Sequence, residues 1–267
     1  MASNIIAFFA VVPAVLALTN WLISLVVVRN EPHLMVKDFK SLAPATLPFV
    51  KAQWIFLLIS IGSTFLGNFV LENQLIFHTT VPVPVMTTLT SSVIIQALSI
   101  FYVSYLAAEK SPNLIATVGL WTLVKFEVAD FFRIMITTWG VMLFAVPGLI
   151  LCARLALFLP IYVCEGQRVR HALKKSWSLT EGKYWRVSRY LGLPMFLGAI
   201  LGFAPTLFVE SVKSSGQFRP WEIPWYISSL PNICAGISTV LNLAIVGLSY
   251  KLYRRLDDAP KLPNSDD

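Results

Sequence analysis

The sequence predicts an all-α, polytopic transmembrane helical bundle. Three observations carry that prediction. Of 267 residues, 56% are hydrophobic and only 13% charged, against about 25% charged in an ordinary soluble domain. Long uncharged runs recur along the chain. Most cations fall in the short segments between those runs, as the positive-inside rule requires.

A helix needs about 20 apolar residues to cross a hydrocarbon core ~30 Å thick. The uncharged runs that meet this are Ile5–Val28, Ala52–Leu71, Leu89–Ala108, Tyr190–Val209 and Tyr226–Tyr250. A further run, Ile134–Cys164, is interrupted only by Arg154. The N-terminal run lacks a basic leader and exceeds the apolar core of a signal peptide, so it reads as a retained span. No repeat period or interdomain linker is visible, so residues 1–255 read as one integral membrane domain. The polar, proline-containing residues 256–267 read as a disordered tail.

Charge sets the orientation. Segment 29–51 carries Arg29, Lys37, Lys40 and Lys51, and segment 109–133 carries Lys110, Lys125 and Arg133. Segment 165–189 is the most basic, with Arg168, Arg170, Lys174, Lys175, Lys183, Arg186 and Arg189. The tail after Tyr250 adds Lys251, Arg254, Arg255 and Lys261, whereas segment 72–88 has no cation. Placing 29–51, 109–133, 165–189 and the tail in the cytoplasm satisfies the rule, with the N-terminus outside and the C-terminus inside. Run Ile134–Cys164 must then cross an even number of times. The sequence therefore predicts a hairpin bent at Pro147–Gly148, and six to seven membrane segments in all. Arg154 lies in the second arm, where an unpaired arginine at the bilayer centre would cost about 2.5–3.5 kcal/mol on the insertion scale. A structural role, pairing or capping, is expected of it ahead of a transport role. Glu127 and Asp130 are possible acidic partners, although the i, i+3 spacing of Asp130 and Arg133 equally suits a local pair on an interfacial helix.

Segment 165–189 predicts a second interfacial helix. Val169, Ala172, Leu173, Ser176 and Trp177 recur at i, i+3, i+4, i+7 and i+8, with Arg168, Arg170, His171, Lys174 and Lys175 between them. Such a helix suits an anionic membrane surface. Gly182 is its expected stop, and Tyr184 with Trp185 an interfacial belt. The lipid-headgroup face is assigned to Arg168, Arg170, Lys174, Lys175, Trp177 and Trp185. The bland alternative for these cations is topology alone, without a lipid contact.

Two consecutive stretches carry a family likeness. "VPGLILCARLALFLPIYVCEG", followed by "ALKKSWSLTEGKYWRV", resembles the bacterial YciC-like membrane proteins and the related membrane domain attached to some glycerophosphoryl diester phosphodiesterases. The matching positions are Pro147, Gly148, Arg154, Pro160, Glu165, Gly166, Ala172, Leu173, Ser176, Trp177, Leu179, Thr180, Gly182 and Trp185. More loosely, the topology of 40–255 agrees, and the span at 5–28 is an addition. The resemblance implies a multipass protein of the cytoplasmic (inner) membrane. It brings no catalysis, since the phosphodiesterase chemistry of fused relatives resides in a separate soluble barrel.

The residues agree with that implication. His33, His78 and His171 are scattered, and the three cysteines form no CxxC, so no metal site or cofactor is expected. Neither a GxSxG elbow nor a GxGxxG or GxxxxGK[ST] loop occurs. The basic balance, net +7, is explained by topology rather than by nucleic acid. The expected function is non-enzymatic support of the membrane or envelope, with anionic lipid as the partner. The alternatives are a small transporter or export accessory, and an enzyme acting on lipid.

Overall fold

In the computed structural model the described residues are 15, 18–28, 34–72, 82–108, 124–126, 128–130, 132–133, 136, 145–165, 168–214, 227 and 230–258. Glu127, Gly166, most of the first half of run 134–164 and the end of the tail lie outside them. All regular structure among them is helical. We number the helices α1 (Leu18–Val27), α2 (Leu34–Ala52), α3 (Trp54–Glu72), α4 (Pro82–Ala108), α5 (Ala145–Leu155), α6 (Phe158–Glu165), α7 (Val169–Leu179), α8 (Tyr184–Ser214) and α9 (Leu230–Asp257).

Helix α9 is the hub, packing against α2, α3, α4, α6 and α8. Two buried clusters surround it. One joins Leu157, Phe158 and Ile161 of the α5–α6 region to Ala172, Val187, Leu191, Leu248 and Leu252. The other joins Phe49 and Leu57 to Leu98, Tyr102, Val103, Leu243 and Val246. Close approach depends on Gly247. A Cβ there would lie 3.0 Å from the Tyr102 ring and 3.2 Å from Leu42. Tyr102 is fully buried, and its hydroxyl lies 2.6 Å from Thr46 Oγ1.

The polarity of the helices is the reverse of a water-soluble bundle in places. Ile55, Leu58, Ile59 and Leu66 of α3 are exposed, as are Ile233, Ile237 and Val240 of α9. Meanwhile Ser60 and Ser91 are buried and share a 3.0 Å hydrogen bond between α3 and α4. Apolar side chains outward and small polar ones pairing helices inward are the packing expected in lipid.

By length and composition, one described stretch is sufficient to cross a membrane: Gly148–Glu165, with mean hydropathy 1.8. The pair Leu34–Ala52 and Trp54–Ser63 meets the same test only jointly, across a 74° bend.

The stretch around Arg154 corrects the expected hairpin. Pro147 and Gly148 do not form the turn; both lie within α5. Pro147 is the third residue of that helix, where a missing N–H has no intrahelical acceptor to lose. The break falls at Ala156–Leu157 instead. Pro160 explains it, because a proline inside a helix removes the bond to the carbonyl four residues back and crowds it, and that carbonyl is Ala156. The chain answers with a tighter bond from Ala156 N–H to Ala153 O, 3.4 Å, and resumes with Ile161 N–H to Leu157 O, 3.2 Å.

Candidate membrane-interface site

Helix α7 begins at Arg168, whose extended backbone (φ −63°, ψ 143°) makes it the N-cap. It ends at Thr180, which closes the last turn twice: its N–H reaches Ser176 O at 3.2 Å and its hydroxyl reaches the same oxygen at 2.8 Å. Gly182, at φ 67°, then takes the left-handed conformation that glycine adopts without penalty, and α8 starts two residues later. The predicted stop is therefore the residue that reverses the chain.

The inner face of α7 is Ala172 and Ser176, both fully buried. Leu173 and Val169 pack beside them on the core. Trp177 departs from the expected apolar side. At 100° per residue it falls next to Arg170 and Lys174, and it is 43% exposed. The outward stripe is thus Arg170, Lys174 and Trp177, with Arg168 exposed at the N-cap. Trp185 is half-buried and meets Tyr184 edge-on at 4.9 Å.

Arg154 holds α5 to the end of α7. Its Nη1 donates to Trp177 O at 3.0 Å, and the guanidinium lies 5.1 Å from the centre of the Trp177 ring. In return Ser176 Oγ donates to Arg154 O at 2.6 Å. Trp177 O is one of the last-turn carbonyls that a helix leaves without an internal donor. A cation there also meets the negative end of the helix dipole. Asp130, one of the two acidic candidates, is not its partner. Asp130, almost wholly buried, accepts instead from Arg133 Nε at 2.6 Å and from Gln96 Nε2 at 2.5 Å, which is the local pair the i, i+3 spacing allowed. Glu127 lies outside the described residues.

Lys175 corrects the assigned headgroup face. It turns inward, bonding Glu165 and reaching Asp257 Oδ1 at 2.9 Å. The Tyr253 hydroxyl lies 3.0 Å from Glu165 Oε1 and 3.2 Å from Asp257 Oδ2. Partial burial disfavours the Lys175 ammonium, but the hydrogen bonds to Glu165 and Asp257 outweigh it and raise its pKa. The bond from Lys175 holds the Asp257 carboxyl below its usual range. Helix α9 extends to Asp257, and Leu256 is buried, so residues 256 and 257, expected in the tail, belong to the helix.

A second ionic group ties α2, α8 and α9. Arg255 Nη2 donates to Asp38 Oδ1 at 2.6 Å, and the Tyr190 hydroxyl donates to Asp38 Oδ2. Tyr184 also donates to Asn20 Oδ1 at 2.6 Å. Sequence reading missed Asp38, Tyr190, Tyr253 and Arg255. Apart from Asp257, four residues after Tyr253, their partners lie far along the chain, and nothing in the cationic segment 29–51 set Asp38 apart from its other acid, Glu31. The result is one polar end of the bundle, where 34–38, 165–190 and 250–258 meet.

Among the described residues, an all-helical architecture with outward apolar rows and one polar end fits a membrane protein. Residues 122–253 match the family described as the membrane domain of glycerophosphoryl diester phosphodiesterase, and over that stretch the chain is related to that domain. The match takes in α5–α8 and α9 up to Tyr253, including Pro147, Gly148, Arg154, Pro160, Glu165 and the α7 stripe, and leaves α1–α4 outside. No curated protein matches the chain, and no solved structure does.

Proposed function

We propose that the chain is a multipass protein of the cytoplasmic membrane, without catalysis of its own, that supports the envelope by engaging anionic lipid through α7. The observation that carries this reading is the arrangement of α7: Ala172 and Ser176 are buried against the bundle, while Arg170, Lys174 and Trp177 face outward. A tryptophan beside two cations suits the headgroup layer, where each cation contributes about 1 kcal/mol toward an anionic surface. The orientation, with 29–51, 109–133, 165–189 and the C-terminus cytoplasmic, is supported by the meeting of Asp38, Tyr190 and Arg255 at one end. The apolar runs under that orientation count six to seven membrane segments, with the return of run Ile134–Cys164 placed elsewhere than at Pro147–Gly148.

The test is reconstitution of the purified chain in nanodiscs of phosphatidylglycerol or phosphatidylcholine. Tryptophan fluorescence and lipid-dependent thermal shift are compared with those of Arg168→Gln/Arg170→Gln/Lys174→Gln. The reading expects anionic lipid to stabilise the chain and the triple variant to lose most of that gain. Equal gain in both proteins overturns the lipid role of α7.

A further inference from the structure

A groove of about 600 Å³ lies beside α7. Ala129, Phe132 and Ile136, helical residues at i, i+3 and i+7, give it one wall, since that spacing keeps to one face. Leu173 of α7 and Leu155 at the end of α5 give it the other. Phe132 and Ile136 are exposed, whereas Leu155 and Leu173 are half-buried, so the apolar surface runs from the outside of the bundle inward. Two cations border it. Arg133 is matched by Asp130 at 2.6 Å, so that pair adds no net charge. Lys174 is exposed and forms no ion pair among the described residues. No carboxylate is among the described residues that line the groove. Trp177 lies at the same border and is 43% exposed.

We propose that this groove seats one acyl chain of a membrane phospholipid whose anionic headgroup meets Lys174. Apolar side chains on both walls suit a hydrocarbon chain and would leave a headgroup buried without partners. The uncompensated charge, Lys174, is exposed instead, beside a tryptophan of the kind that marks the headgroup layer. Leu155 belongs to Gly148–Glu165, the described stretch long and apolar enough to cross a membrane. A lipid whose chain lies against that stretch has its headgroup beside α7. The volume is that of a ligand pocket, about 300–1,000 Å³. A second copy of the chain is the poorer occupant. A two-fold axis through the groove would set Arg170 and Lys174 near their own counterparts, like charge against like. The seat rests on the reading of α7 as a lipid-engaging helix and adds to it a place for one chain, on walls that the α7 charge variant leaves intact.

Photo-labelling of the full chain in phosphatidylcholine nanodiscs tests this, with a trace of phosphatidylglycerol or of phosphatidylcholine that carries a diazirine on one acyl chain. Labelled residues are mapped by mass spectrometry. Phosphatidylglycerol should label Leu155 and Leu173 about fivefold more than phosphatidylcholine does, the factor that one cation contributes near an anionic surface. The exposed Ile55 and Ile59 of α3 should label alike with both lipids. Lys174→Gln should remove the preference at Leu155 and Leu173. Ala129→Phe fills the groove and keeps every cation, so it should lose those two labels while keeping the gain in melting temperature that phosphatidylglycerol gives the chain. If a circular dichroism melt shows Ala129→Phe unfolded, Val169→Phe, from the α7 wall, is used in its place. Labels at Leu155 and Leu173 that survive in the folded groove variant, that are equal for the two lipids, or that never form overturn the proposal. Absent labels in a chain that runs as a dimer would assign the groove to a second copy. The two readings fail separately: no gain from phosphatidylglycerol in the unaltered chain sinks the lipid role of α7, whereas that gain without the two labels sinks the groove alone.

Discussion

At the scale of single residues, Arg154 changes meaning between sequence and structure. In the sequence it is a charge inside an apolar run. In the fold it closes the end of a neighbouring helix, donating to Trp177 O and lying against the Trp177 ring. Arg154→Met keeps the aliphatic stem and removes both. A lost charged hydrogen bond of this type costs about 1.5 kcal/mol, and a melting temperature lower by about 3–6 °C is expected, with Arg154→Lys recovering part of it. A thermal melt in detergent measures this; an unchanged midpoint would show that the contact contributes nothing. Gly247 makes the second residue-scale prediction. Gly247→Leu must push its side chain into Tyr102 and Leu42, and overpacking of that kind costs about 1–3 kcal/mol. The same melt should show a destabilised chain, whereas Gly62→Ala, where an added Cβ meets nothing within 4 Å, should not lower the midpoint. None of these contacts has a local sequence signal. A glycine in an apolar run looks the same whether a tyrosine or nothing lies opposite.

At the scale of elements, periodicity was a good guide to where α7 begins and ends, and a poorer one to which way each side chain turns. Ala172 and Ser176 lie inward as their spacing requires. Trp177 turns outward, where its ring meets the Arg154 guanidinium. Lys175 turns inward because Glu165, just before α7, and Asp257, far along the chain, bracket it. That ionic group gives a pH prediction. The Asp257 pKa is lowered in the folded chain, so its stabilisation is complete above its ordinary value of 3.8 and is lost as pH falls through the lower folded value. The Lys175 pKa is raised, so its contribution is complete below 10.5 and is lost above it. Stability from this group should be level across neutral pH and fall on the acid side below 3.8, and Asp257→Asn should flatten that acid limb in melts taken across the range. The break before α6 belongs to this scale too. Pro147–Gly148 was the obvious breaker in the sequence, but its effect depends on position within a helix. A proline in the first turn is harmless, while Pro160 faces the carbonyl of Ala156. Pro160→Ala should restore the missing backbone bond and lengthen the distance between spin labels at Ile150 and Cys164. It should approach about 21 Å, the span of 14 residues of straight helix.

At the scale of the whole molecule, the helical class and the membrane setting were legible because they rest on composition and on runs long enough to average out local detail. The polar end was not. It is assembled from α1, α2, α7, α8 and α9, and its ties join segments far apart in sequence, Asp38 to Arg255 across most of the chain and Lys175 to Asp257 between α7 and the end of α9. What the sequence did hold was the sign of each segment, and the fold brings together three of the segments that share that sign. The central claim is therefore that 34–38, 165–190 and 250–258 form one cytoplasmic end. Its most direct measurement uses a variant with Cys152, Cys164 and Cys234 replaced by serine. Single cysteines are then introduced by Lys37→Cys, Ser178→Cys and Asp258→Cys, at positions that are all exposed. Labelling with a membrane-impermeant maleimide is compared in right-side-out and inverted vesicles. The account predicts that all three react only in inverted vesicles; reaction of any one of them in right-side-out vesicles would contradict it.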